Sequence, residues 1–463
     1  MTDIRIEQAS LDHPRQSLPP IKQRFGLKAF LGTFGTSLFV QACTVLQGVI
    51  VARLLGVVGR GEFAAAILWP NLFASIGIMG THISIACIAG KSGACSSLYR
   101  SALVLSLLTS IPVGLICLFT TPLLLPAAES QIVGFSQIFT IYILIYHAKM
   151  NLIYVDKGAG KFGIYNVSRA ILNPVYLGIL GFLWLFDMRS AKWFVIALLL
   201  ANAIDLFFRS YLAFSRVPLV GSLYPVKTIL RQGVRFALAG MADPFYQQID
   251  KILLLWLLGS RDLGLYMVAL SASAVVGSVT DASGIVSFTM AAQAGSGEGF
   301  ERIAKAFRMS LLLWIILGGL LACMMPWVLP LVYSSLFSEA IAPARLLIIG
   351  SAFAGLSHLL EESVRGQGRA FVGLEGRAFG LVAMALGGIL LSSPLGITGI
   401  CVAYIAGQSI CLGVILRRVN QHYGIRGIAG YIPRVNEFRE LSVRIGNQLL
   451  ARIRTRPADG RSA

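Results

Sequence analysis

Apolar residues run along this chain in long unbroken blocks, not in the one-sided or alternating patterns of a water-soluble fold. Twelve blocks stand out, at about residues 31–54, 63–89, 101–125, 132–155, 169–188, 193–214, 233–258, 264–292, 307–333, 342–362, 372–392 and 396–416. Each is about as long as a helix needs to cross ~30 Å of hydrocarbon, roughly 20 residues. A segment surrounded by lipid must satisfy its own backbone amides, so the blocks predict helices; the strict alternation of a closed barrel is absent. The predicted fold class is an all-α polytopic membrane protein of about twelve transmembrane helices.

The connections between blocks set the orientation. Of the 39 lysines and arginines, 32 fall on the N-terminal arm, the even-numbered connections and the C-terminal tail, against 6 on the odd-numbered connections. Positive residues stay on the cytoplasmic side, so both termini are expected inside. The expected organisation is a cytoplasmic arm (1–28), a first six-helix bundle (29–216), a cytoplasmic linker (217–232), a second bundle (233–418) and a basic tail (419–463), within which 438–453 could form a surface helix.

Composition sharpens this picture in two places. Only 13% of residues are charged and 56% are hydrophobic, whereas a soluble domain is about a quarter charged. The net charge of +18 follows from the loop bias and forms no single patch, so no nucleic-acid partner is expected. The seven cysteines include no CxxC pair and read as small buried hydrophobes. No metal-ligand cluster, catalytic triad or large outer loop appears; neither an enzyme nor a cofactor is expected, and a membrane glycosyltransferase or polymerase is the weaker alternative. Gly158-x-Gly160-x-x-Gly163 matches a dinucleotide fingerprint only literally, since no strand precedes it.

Two phrases occur twice. Leu55-Gly56, Gly61, Phe63 and Ala66 recur as Leu258-Gly259, Gly264, Tyr266 and Ala269, shifted by 203 residues; Gly158, Gly160, Lys161 and Arg169-Ala170 recur as Gly366, Gly368, Arg369 and Arg377-Ala378, shifted by 208. Order, spacing and sidedness agree, which predicts two parallel six-helix repeats.

Ala52-Arg53-Leu54-Leu55-Gly56 with Gly59-Arg60-Gly61, and Asp250-Lys251-Ile252-Leu253-Leu254 ahead of Leu258-Gly259, resemble the Wzx-type oligosaccharide flippases of the multidrug/oligosaccharidyl-lipid/polysaccharide exporter superfamily, over about residues 25 to 420. The resemblance implies a V-shaped pair of bundles in a bacterial inner membrane. It also implies transfer of undecaprenyl-pyrophosphate-linked sugars between leaflets for O-antigen, capsule or exopolysaccharide synthesis, with polymerase and glycosyltransferases as pathway partners. A multidrug antiporter of the same superfamily is the main alternative.

Ionisable residues inside the blocks are the site candidates, because each costs roughly 2.5–3.5 kcal/mol at mid-membrane unless it meets a cavity or partner. Asp243, Gln247 and Asp250 are spaced for one polar helical face, with Gln41 and Gln47 on the equivalent first helix. Lys251 is expected about 100° away from Asp250, too far round for a good pair. Pyrophosphate calls for cations, and arginine offers two donors in one plane. Arg53 and Arg60 are therefore assigned with Gln41, Gln47, Gln247 and Lys251 to substrate binding. Asp250, Asp281 and Asp243 are assigned to proton or sodium coupling, and Lys149, Arg169 and Glu361 to the inner mouth. His82 and His147 are expected to be structural.

Overall fold

The computed structural model describes residues 27–215, 217–218, 220–274, 299–365, 372–425 and 427–433. Almost all of the N-terminal arm, Asp281, the glycines of the second copy of the GxG repeat and the tail beyond 433 lie outside these residues. Among the described residues the regular structure is helical throughout.

Helix α1 (Leu27–Gly77) carries the first two predicted spans in one 51-residue run. At about 1.5 Å per residue a straight helix of this length would reach far beyond a bilayer. It breaks at Gly56 (φ 64°, ψ −169°), a conformation that glycine reaches without steric cost. The second span continues through a turn at Met79 and Gly80 (φ 49° and 64°) into α2 (Thr81–Ser92). Then follow α3 (Ser96–Leu124), α4 (Ser130–Phe139) and α5 (Tyr142–Gly158), α6 (Phe162–Ala170) and α7 (Leu172–Leu185), and α8 (Ala191–Phe214). Helices α4 and α5 meet at 41° and make up the fourth span.

The seventh span is divided into α9 (Val226–Ala239), α10 (Ala242–Tyr246) and α11 (Ile249–Leu257). The second half continues with α12 (260–274), α13 (Gly299–Val332), α14 (Ile341–Arg365), α15 (Val372–Leu395) and α16 (Ile397–Tyr423). Among the described residues eight helical runs are long and apolar enough to cross a membrane, and the bent fourth span makes nine. The described helices follow the order of the predicted blocks, the eighth being described only as far as residue 274.

Large apolar side chains cover the outside, including Phe119, Leu123, Leu185, Phe207, Trp327 and Leu390, each more than half exposed, while Thr81, Ser84, Ser101, His147 and Asn151 are buried. Water would penalise such a surface, whereas lipid does not. The chain is a multi-pass membrane protein.

The packing divides unevenly along the membrane normal. One core is shared by both halves: Val51, Ala52 and Phe63 pack with Leu255, Leu263, Tyr266 and Phe337. It lies toward the face opposite the N-terminus. Toward the basic face the halves have separate cores, one around Ile85, Leu98 and Leu152 and one around Phe307, Leu356, Met384 and Leu412. Among the described residues the halves share one core at one end and have separate cores toward the other.

The junction between bundles differs from the expected 217–232 linker. Helix α9 starts at Val226, and its Ile229 belongs to the core of the first half. Gly80 and Gly233 explain this: a methyl on Gly80 would lie 2.4 Å from the Gly233 carbonyl oxygen, so two backbones touch there. The seventh span thus begins against the first bundle and ends in the second.

Candidate functional site

The first repeated phrase closes the joined end. Gly61 of α1 and Gly264 of α12 pack backbone to backbone. A methyl at Gly61 would lie 1.7 Å from the carbonyl oxygen of Ser260, and one at Gly264 would lie 2.0 Å from that of Val57. These two carbonyls are themselves 203 residues apart, so the contact is two-fold symmetric. Side chains at equivalent positions complete it. The Arg53 guanidinium donates to the main-chain oxygens of Val332 (2.8 Å) and Leu331. The Trp256 indole donates to Leu124 O (3.0 Å). Each satisfies a carbonyl in the last turn of a long helix from the other half, where no intrahelical donor exists. Glu129 accepts from the Ser260 N–H (2.7 Å) at the start of α12.

Arg53 is therefore committed to a helix end at the seal, away from the site assigned to it in the sequence. Arg60 also lies at this end, buried, with its guanidinium 5.7 Å from the Phe63 ring and its Nε without a hydrogen-bond partner. Gln47 turns into the first bundle and donates to Asn173 O (3.0 Å). None of the three lines the chamber in the space between the halves.

That space holds a chamber of about 470 Å³. Gln41 enters it from α1, Gln247 and Lys251 from the seventh span, His358 and Glu361 from α14, Arg377 from α15, and Tyr404 and Gln408 from α16. Three ion pairs lie in or at the edge of it: Lys251 with Asp250, and Arg377 with both Asp243 and Glu361. Asp250 is buried; it accepts from Tyr266 Oη (2.6 Å), the tyrosine of the repeated phrase, and from Lys251 Nζ (3.2 Å). The Asp250–Lys251 contact overturns the expected separation. The helix breaks at Gln247–Gln248 (Gln248 φ −122°), which frees the Gln247 carbonyl. The Lys251 stem folds back to bind that oxygen at 2.5 Å and reaches its neighbour's carboxylate. The same break removes the single polar face expected of Asp243, Gln247 and Asp250.

Arg377 joins Asp243 Oδ1 (2.6 Å) and Glu361 Oε2. This fork was not singled out from the sequence, although the second repeat pointed to it: its counterpart Arg169 reaches from α6 to Ser37 of α1 (3.4 Å) over the Tyr165 ring. In each half the repeated arginine ties the fifth helical unit to the first. The resulting network sets two cations, Lys251 and Arg377, against three carboxylates, Asp250, Asp243 and Glu361, whereas the sequence assigned the cations Arg53, Arg60 and Lys251 to the substrate.

Lys149 is not at a mouth. It lies inside the first bundle, bound to Asp205 (2.9 Å) and Asn202 (3.1 Å). Arg209, one turn beyond Asp205, is buried and its three nitrogens lack hydrogen-bond partners. His147 is structural, held between Thr109 (2.8 Å) and Ala74 O (3.0 Å); His82 stacks edge-on against Tyr154. Among the described residues no group of His, Cys, Asp and Glu could hold a metal ion.

No protein-family model and no curated protein sequence matches the chain. Solved structures do. An inward-facing multidrug resistance MATE family transporter of the MOP superfamily superposes with a TM-score of 0.69 at 12% identity, covering 85% of this chain and 98% of that one. An outward-facing one gives 0.62 at 13% identity, covering 86% and 96%. The lipid II flippase MurJ in an inward closed conformation gives 0.66 at 11% identity, covering 86% and 89%. This chain has the fold of those transporters: two six-helix halves around a central space.

Proposed function

We propose that this protein is an alternating-access carrier that moves a polyprenyl-pyrophosphate-linked oligosaccharide from the inner to the outer leaflet of a bacterial cell membrane, with both termini cytoplasmic. The observation that carries this reading is the lining of the chamber. Three glutamine side chains, Gln41, Gln247 and Gln408, stand with Ser351, Ser357 and Tyr404 around paired charges. Amides and hydroxyls both donate and accept, as sugar hydroxyls do. A lipid flippase shares the fold, and the repeated phrases resemble oligosaccharide flippases.

The pyrophosphate is assigned to Arg377. Its planar fork suits two phosphate oxygens, and in this state Asp243 and Glu361 occupy it. An arriving phosphate competes with both. The displaced carboxylates then need a proton or sodium ion to offset the added negative charge, which couples substrate binding to an ion. A seal that opens at Gly61–Gly264 while the basic side closes delivers the head group to the other leaflet. Glycosyltransferases supply this substrate and a polymerase consumes the product.

An organic cation is the competing cargo. It would have to displace Lys251 or Arg377 from the acids they hold. The deciding experiment places purified protein in vesicles with a fluorescent oligosaccharide-pyrophosphoryl-polyprenol and follows quenching by an impermeant reductant. Protein-dependent exposure of the label supports the flippase. A label that stays in place while ethidium exchange accelerates transfers the reading to a cation antiporter.

A further inference from the structure

We infer that an apolar groove on the far side of the seventh span receives the hydrocarbon tail of the transported lipid, so that head and tail sit on opposite sides of α10. This rests on the flippase reading above. The groove has a volume of about 840 Å³ and lies between the end of α1, the start of α2, α3 and the α9–α10 junction. Its walls include Ile76, Ile83, Val113, Ile116, Phe236 and Leu238. Ile76, Ile83 and Leu238 are more than a third exposed, which opens the groove sideways to the surrounding lipid.

Two features join the groove to the chamber. Gln247 lines both. Asp243 lines the groove, and its ion partner Arg377 lines the chamber, 2.6 Å away. Helix α10 lines both spaces, with Asp243 and Pro244 on the groove and Tyr246 on the chamber, and the span is interrupted on both sides of it. In a sugar lipid the phosphate links the polar and apolar parts. The guanidinium that suits a phosphate stands at the corresponding junction here. A partner helix would fill the groove but leave this alignment with the polar chamber unexplained, so the committed occupant is a polyprenyl chain.

The groove is held open by backbone. The glycine contact between α2 and α9 fixes two of its walls. A methyl on Gly77 would also meet Val113 at 2.6 Å, so α1 and α3 approach closely without filling the space. Because a tail leaves lipid to enter an equally apolar groove, little affinity arises there. The groove's effect is register: it keeps the tail level with its head group while the head crosses, so the chamber never has to admit hydrocarbon.

The test uses full-length protein in vesicles with a polyprenyl-pyrophosphate sugar whose first isoprene units carry a diazirine. Irradiation is followed by peptide mapping, and transfer is measured in the same vesicles. Labelling concentrated on 76–83 and 234–241 supports the groove. In addition, Val113→Trp, which plugs it, should slow transfer at least tenfold while binding of a tail-less sugar pyrophosphate changes less than twofold. Ile83→Trp, at an exposed position, provides the same plug should Val113→Trp fail to fold. Normal transfer with labels only on outward faces such as Phe119 or Phe207, and unaltered rates in the plugged variants, would overturn the groove and leave the flippase reading standing. Absence of any protein-dependent transfer by the unaltered chain would overturn the flippase reading and the groove with it.

Discussion

Gly61 and Gly264 occupy the same place in two copies of one phrase and press against each other's helix, Gly61 on the Ser260 carbonyl and Gly264 on that of Val57. Neither position has room for a single carbon. Forcing atoms into a packed contact costs typically about 1–3 kcal/mol, and 1.4 kcal/mol is about tenfold in an equilibrium. Gly61→Ala should therefore shift the protein toward the state open at this face. A cysteine placed at Gly48, below the seal beside Ser271, should react about tenfold faster with an impermeant maleimide added from that side. Gly264→Ala should match it, and the double variant should fall well short of the sum, since both relieve one contact.

Arg53 and Trp256 stand at equivalent positions and cap helix ends in opposite halves. Hydrogen bonds to charged groups contribute about 1.5–3 kcal/mol, and neutral ones about 1; exposure of both side chains brings these values to the low end. Arg53→Gln and Trp256→Phe should each raise the same maleimide reactivity several-fold. Affinity for the sugar lipid should stay within twofold, because neither side chain reaches the chamber. A large loss of affinity in Arg53→Gln would return that residue to the binding site.

The spans were legible in the sequence because lipid imposes one simple rule on every residue of a block, and the repeats were legible because duplication preserves phrases. Their meaning was not. The pairing of Gly61 with Gly264 depends on how the halves cross, and no local pattern encodes that. Arg53 looked like a phosphate ligand because an arginine at a span end has the right chemistry; the carbonyls it caps belong to residues nearly three hundred positions away. Pro122 and Pro330, 208 residues apart, mark the two capped ends and were a signal within reach. The Asp250–Lys251 pair was hidden for a different reason: an unbroken helix forbids it, and the break at Gln248 permits it.

Asp250 is held by Lys251 and Tyr266 in a buried position. Removing one member of a buried pair leaves an uncompensated charge, which costs about 3–5 kcal/mol. Asp250→Asn should destabilise the protein in detergent by an amount in that range, read from thermal unfolding. Adding Lys251→Met should recover part of the loss, since the orphaned ammonium is then gone. Tyr266→Phe alone should cost about 1–3 kcal/mol through the unsatisfied carboxylate oxygen. A double variant no better than Asp250→Asn would show that the pair is not coupled.

Arg377 is shared by Asp243 and Glu361, one carboxylate on each arm of the fork. If phosphate competes for that fork, the three groups should respond differently to substitution. Arg377→Ala strands two acids, one of them buried, and should fail to yield folded protein. Arg377→Lys keeps the charge but loses the planar pair of donors; it should fold, and its affinity for the sugar lipid should fall about tenfold or more. Asp243→Asn removes a competitor. It should tighten binding several-fold and flatten the dependence of binding on proton or sodium concentration, because one carboxylate no longer has to be neutralised when the phosphate arrives. The check is a set of Kd values for a tail-less sugar pyrophosphate between pH 6 and pH 8, with and without sodium. The unaltered protein should bind more tightly as the concentration of the coupling ion is raised, and Asp243→Asn should show a weaker slope. Equal slopes with unchanged Kd in Asp243→Asn would mean that Arg377 serves the fold alone.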